Sequence, residues 1–224
     1  GVVPVLLFYL PFYLATGASF PTAIGVLLAV IAFILGCSAL LDRFARYHFK
    51  QVSLGLYLLL QIALVTCCGI LYLVKFPTFY SLPIACGLAF SVWGLYLWMC
   101  GRGSQRPCGW FLAGTLCMAL VAGCRPQLVL LSFLAFPLFW RRYITERRLF
   151  TMHGAREFAC LIAPYVVVAA GIMLYNNARF GSLTDFGANY NLTVNDMTKR
   201  GMNVGRLAPA LFTYFLQPPC VTGV

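Results

Sequence analysis

The sequence predicts an all-α, polytopic membrane bundle of about seven or eight membrane helices. Three observations predict it. Apolar residues fill 62% and charged residues 9% of the 224 positions, with a mean hydropathy of +0.87. Soluble domains hold ~45–50% apolar and ~25% charged residues, so a soluble fold could not hide this surface. Several windows reach the ~20 apolar residues a bilayer core requires. The alternating pattern of a membrane barrel is absent, so the backbone must pair with itself in helices.

In chain order, 2–14 is apolar but carries Pro4 and Pro11 and is short for a crossing. It either crosses or lies half-inserted at the interface. Residues 22–41 form a clear span, 52–74 a second, and 81–100 a third with Trp93, Tyr96 and Trp98 as interface anchors. Residues 110–140 hold Gly123-Cys124-Arg125-Pro126-Gln127 at their middle. One helix there would carry a charge and a breaker at its centre. Two helices of ~14 residues, each ~21 Å long, fit better. Being short, they would form a recessed pair whose turn lies below the membrane surface. Residues 158–175 form the next span, 175–206 a polar outer loop, and 207–216 a further apolar run. The 224 residues read as a single membrane domain. Because the chain starts on glycine inside an apolar run, without a charged leader, it also reads as a fragment of a longer protein.

The formal net charge is +11. In a soluble protein that would suggest nucleic acid. Here most of the excess lies between apolar runs, where it sets orientation, so no nucleic-acid partner is expected. Segments 42–51, 101–108 and 141–157 hold ten Lys and Arg residues and are expected on the cytoplasmic side of the cell membrane. Alternation then puts Lys75, Arg125 and the 175–206 loop outside. The assignment closes only if 110–140 crosses twice.

Arg125 is the sharpest single residue. A charge at membrane depth costs ~2.5–3.5 kcal/mol, so it faces a protein interior or a cavity. Its planar fork suits phosphate. The alternative is a snorkelling or helix-capping arginine. Arg179 follows Asn176 and Asn177 at the outer end of a span, either as an interfacial anchor or as part of a site. With Lys75, Arg125, Lys199, Arg200 and Arg206 it makes an outer basic set suited to a lipid phosphate or a diphosphate leaving group. Asn176, Asn177 and Asp185 are polar candidates for the same substrate. Asp185 and Asp196 are the acids expected outside, each either a base or a turn residue. A loop beyond ~12–15 residues leans toward function, although a solvated connector remains the alternative. Asn191-Leu192-Thr193 fits the glycosylation sequon. The ten cysteines lack metal-ligand spacing with His48 or His153 and read as packing residues. No metal and no cofactor is expected.

The opening Gly1-Val2-Val3-Pro4 with Pro11-Phe12-Tyr13-Leu14, and Gly114 with Gly123-Cys124-Arg125-Pro126, resemble segments of GT-C superfamily polytopic glycosyltransferases. The protein mannosyltransferase and aminoarabinose transferase types are nearest. The more specific likeness is Tyr175-Asn176-Asn177-Ala178-Arg179-Phe180-Gly181-Ser182 followed by Phe186-Gly187, which resembles a pattern of uncharacterised bacterial members. The resemblance implies transfer of a sugar from a polyprenyl-phosphate donor to an acceptor on the outer membrane face. It implies a catalytic acid in a first outer loop, upstream of Gly1, and a phosphate-side role for Arg125 and Arg179. Two other classes stay open: a lipid or polymer transporter with Arg125 lining its pathway, and a non-catalytic structural membrane subunit.

Overall fold

The computed structural model describes residues 1–49, 51–185 and 204–216. The chain divides into two compact units, Gly1–Leu174 and Tyr175–Val224. All regular structure among the described residues is helical, and five helices are long and apolar enough to cross a membrane. This is the architecture of an all-helical, multi-pass membrane protein.

The first helix, α1 (Val2–Thr16), is apolar but short. Fifteen residues at ~1.5 Å each give about 22 Å. A wide π turn over Val5–Tyr9 interrupts it, and Gly17 ends it in the left-handed region at φ 70°, which glycine adopts without strain. Phe20 then stacks against Phe8, Tyr9 and Phe12, and the Tyr9 and Thr22 hydroxyls share a 2.6 Å hydrogen bond. That cluster fixes the reversal into α2 (Thr22–His48).

Two shorter helices, α3 (Leu54–Cys67) and α4 (Ile70–Lys75), replace the single span expected over 52–74. Gly69 takes φ 67°, which stops the helix. The break turns Ile70 and Leu73 into the core that α2 shares with α5 (Ser81–Arg102). Between α2 and α3 the contact is polar. Gln61 Nε2 donates to Ser38 Oγ at 2.7 Å, and Tyr57 Oη donates to the Ser38 carbonyl at 3.4 Å. Such bonds hold membrane helices that gain little from the hydrophobic effect.

The hub is α5. One face meets α2, where Trp93 Nε1 donates to the Ala32 carbonyl at 2.9 Å and Gly36 leaves space for the indole. The other meets α6 (Pro107–Cys124) along Gly87, Ser91, Gly94, Trp98 and Gly101. These positions alternate by four and three residues, the spacing of a helix–helix seam. A Cβ added at Gly94 would lie 2.7 Å from Met118 Cγ and 3.0 Å from the Gly114 carbonyl oxygen. The two backbones therefore touch. Trp98 fills the next layer and donates Nε1–H to Thr115 Oγ1 at 3.1 Å, so both buried polar groups are paired.

The break at Arg125 falls where the sequence places it, with α6 ending at Cys124 and α7 (Pro126–Thr145) starting at once. Both helices are longer than the ~14 residues expected, because α6 begins before Trp110 and α7 runs past Trp140. The recessed geometry inferred from short helices loses that basis. Winding in α7 is uneven: a tight 3₁₀ stretch over Pro126–Leu134, an α segment over Ala135–Trp140, and a π turn over Arg141–Thr145. Nine residues of 3₁₀ helix rise about 18 Å at ~2.0 Å each, so this segment reaches far for its length.

The last long helix, α8 (Met152–Phe180), extends the expected span at both ends and carries Pro164 inside it. Its six final residues, expected in the polar loop, are helical. In the second unit Gly181 caps this helix at φ 71°, its N–H donating to the Asn177 carbonyl at 2.9 Å. Val204–Arg206 forms a 3₁₀ turn that leads into α9 (Leu207–Leu211). Residues 186–203, with the Phe186-Gly187 motif, Asn191-Leu192-Thr193, Asp196, Lys199 and Arg200, lie outside the described residues, as does Lys50.

Within Gly1–Leu174 the three basic segments meet at one end. Arg43 Nη2 lies 2.8 Å from the Cβ position at Gly103, and the Arg102 guanidinium is 5.7 Å from the Tyr47 ring centroid. Arg142 Nη1 donates to the Arg102 carbonyl at 3.5 Å. Arg125 lies at the other end, against Tyr80 at the start of α5. With 22 residues, α5 separates the two ends by about 33 Å. The chain between 107 and 145 therefore leaves the basic end and returns to it.

Candidate functional site

Arg125 joins α6 to α7 in extended backbone, at φ −145° and ψ 104°, with its N–H bonded to the Val121 carbonyl at 2.8 Å. Proline at 126 forces that extension on the residue before it. The neighbouring turn is built tightly. Ser81 Oγ donates to the Phe76 carbonyl at 2.8 Å and accepts from the Thr78 N–H at 3.2 Å, while Thr78 Oγ1 accepts from the Ser81 N–H at 3.2 Å. This locks the Lys75–Tyr80 turn and presents the Tyr80 carbonyl to Arg125 Nη2 at 3.4 Å. Behind the arginine, Gly87 leaves room for Leu128, and Gly123 is covered by Val3 of α1.

A guanidinium carries five N–H donors. That of Arg125 makes one long hydrogen bond, and its buried Nε has no partner among the described residues. A partly buried, under-satisfied arginine beside a helix break is chemically ready for an acceptor with several oxygens. The geometry thus unites Arg125 with the Lys75–Tyr80 turn. Lys75 itself lies 5.4 Å from the Phe76 ring centroid.

The remaining candidates belong to the second unit. Arg179 is already engaged on its own helix: Nη1 donates to Tyr175 Oη at 2.9 Å, and the guanidinium lies 5.1 Å from the Phe180 ring centroid. Tyr175-Asn176-Asn177-Ala178-Arg179-Phe180-Gly181 is therefore a helix end with its cap. Asn177 is exposed. Asn176 is buried, and its Nδ2 has no hydrogen-bond partner among the described residues. Asp185 is partly buried after the bend at 181–184. Arg206 is exposed at the end of its 3₁₀ turn.

The tightest polar cluster was not foreseen from sequence. Arg142 grips Glu157 with both arms, Nη2 to Oε1 at 2.8 Å and Nε to Oε2 at 3.0 Å, with both side chains largely buried. Tyr143 Oη donates to Oε2 at 3.3 Å, and Phe111 lies under the guanidinium. Every oxygen of Glu157 is thus paired, and the cluster ties α5, α6, α7 and α8 together at the basic end. One signal was available: Glu157 precedes Leu161 and Pro164 by four and seven residues, placing an acid on the inner stripe of α8.

The other carboxylates at that end are also engaged, Asp42 by Arg46 at 2.9 Å and Glu146 by Arg148 at 3.2 Å. No three His, Cys, Asp or Glu residues converge on a metal-sized site among the described residues. No protein-family model matches the chain, and neither a characterised protein nor a solved structure matches it.

Proposed function

We propose that the chain is part of a membrane glycosyltransferase that moves a sugar from a polyprenyl-phosphate donor to an acceptor on the outer membrane face. The observation that carries this reading is the under-satisfied Arg125 guanidinium at the junction of two membrane helices. In the proposed reaction an acceptor oxygen attacks the anomeric carbon with inversion. The bond from that carbon to the phosphate oxygen breaks, and its electron pair leaves with polyprenyl phosphate. Arg125 stabilises the growing charge on that phosphate. The acceptor's proton goes to a carboxylate that the resemblance places upstream of Gly1. Asp42, Glu146 and Glu157 are each held by arginine and are assigned no part in it.

On this reading the basic end is cytoplasmic, and Lys75, Arg125 and the 175–206 loop face outward. The full count of seven or eight membrane helices includes α1, the α3–α4 pair and the 207–216 run as crossing or half-inserted segments. Arg179, Asn176, Asn177 and Asp185 are the candidate polar groups of the second unit.

The test is binding of a polyprenyl monophosphate to the purified protein. A charge-assisted hydrogen bond contributes ~1.5–3 kcal/mol, so Arg125→Gln should weaken binding by about tenfold or more. Arg125→Lys should recover little, because a point charge cannot reproduce the fork. Unchanged binding in both variants, at normal folded yield, removes Arg125 from the site and the reading with it.

A further inference from the structure

A second feature lies near the opposite end of the bundle. Between α7 and α8 runs an open cavity of about 480 Å³. Its walls are Phe136, Trp140 and Ile144 on one side and Phe158, Ile162 and Tyr165 on the other. The polar hydroxyls of Ser132 and Tyr165 are spent on each other, in a 2.6 Å hydrogen bond. The groove exists because α8 is pinned at the Arg142–Glu157 clasp and at Leu161, while most of its apolar surface stays exposed.

At Trp140 and Ile144 the groove's lining borders, along the chain, a concentrated positive charge. Arg141 and Arg148 share a single carboxylate, Glu146, at 3.5 and 3.2 Å. Arg147 lies between Glu146 and Arg148 in sequence, in left-handed backbone at φ 48°. Phe150 and Met152 are 86% and 90% exposed directly after these arginines. Bare apolar side chains beside unbalanced arginines, at the end of membrane helices, mark the level of lipid headgroups.

We propose that this groove binds an anionic phospholipid of the adjacent leaflet. One acyl chain fills the space between α7 and α8, and the headgroup phosphate is held by Arg141 and Arg148. The apolar walls need a chain, and two guanidiniums facing one carboxylate leave a net positive charge for a phosphate to neutralise. The occupant is a bilayer phospholipid rather than the polyprenyl phosphate proposed above, because this charge lies at the end of the bundle remote from Arg125.

The test uses the full chain purified in mild detergent, with phosphatidylglycerol or phosphatidylcholine of matched acyl chains added and bound lipid counted by native mass spectrometry. Phosphatidylglycerol should be retained roughly tenfold better, since each basic residue near a headgroup adds to affinity. The Arg141→Gln/Arg148→Gln double variant should lose that preference. Ala135→Phe and Ile162→Trp, which fill the groove from opposite walls, should each lose both lipids. Equal retention of the two lipids, retention that survives both filling variants, or displacement by polyprenyl phosphate or a co-purified polypeptide would each overturn the assignment.

Discussion

Two arginines in this chain show opposite ways of tolerating a charge among apolar helices. Arg142 is neutralised by a two-armed carboxylate that also accepts from the Tyr143 hydroxyl, and its guanidinium lies over an aromatic face. Arg125 keeps donors in reserve. The difference separates a structural clasp from a candidate binding group. Removing one partner of a buried pair strands the other, at a cost of ~3–5 kcal/mol. Glu157→Gln should therefore lower the thermal unfolding midpoint in detergent markedly. The Arg142→Met/Glu157→Met double variant, which leaves no charge behind, should regain most of that loss. A midpoint unchanged in Glu157→Gln would show that the clasp contributes nothing to stability. Arg125 was legible in the sequence because charge, proline and glycine interrupt an apolar stretch at its middle. Glu157 was not, because in sequence it is one acid among arginines and its partner is fifteen positions away. The local engagement of Arg179 was not legible: the sequence does not show that Tyr175 and Phe180 contact its guanidinium.

At the scale of elements, glycines do two different jobs. Gly69 breaks a helix, whereas Gly87, Gly94 and Gly101 let α5 approach its neighbours closely. Membrane helices are rich in glycine, so composition alone does not distinguish the two uses. The seven-residue spacing of the second group was readable as a seam but says nothing of which helix it faces. A substitution pair separates crowding from propensity. Gly94→Ala should destabilise the protein, since its Cβ meets the Gly114 carbonyl and Met118. Gly171→Ala, with open space at its Cβ, should be neutral or stabilise by ~0.5–1 kcal/mol. Thermal unfolding of the two variants checks this; equal midpoints would mean that α5 and α6 can part without loss. The break at Arg125 was correctly placed because proline dictates the backbone before it. The lengths of α6 and α7 were not, because their ends lie in segments whose polar composition gave no reason to extend a helix.

For the whole molecule, charge distribution was the informative quantity. Short basic segments fixed which ends belong together, and contacts of Arg43, Arg102 and Arg142 unite the three segments at one end. That balance, together with the break at Arg125, led to the expectation that this stretch leaves the basic end and returns to it, as the chain between 107 and 145 does. Sidedness can be measured directly. A membrane-impermeant thiol reagent applied to intact cells should label Phe79→Cys but not Ser104→Cys, in a background whose accessible native cysteines are replaced. The reverse pattern would invert the orientation and remove the outer phosphate site. The apolar packing of Cys37, Cys86 and Cys124 in the core makes these three poor targets for the same reagent.

The docking of Val3 against Gly123 has a consequence in time. The stretch Val2–Thr16 covers about 22 Å of a hydrocarbon core of ~30 Å and carries its packing contact on α6 at Gly123. Its partner surface on α6 does not exist until about 120 further residues have been made, which takes ~6–24 s at ~5–20 residues per second. During synthesis Val3 therefore waits for Gly123, and the two meet only after the helices between them have been threaded into the membrane.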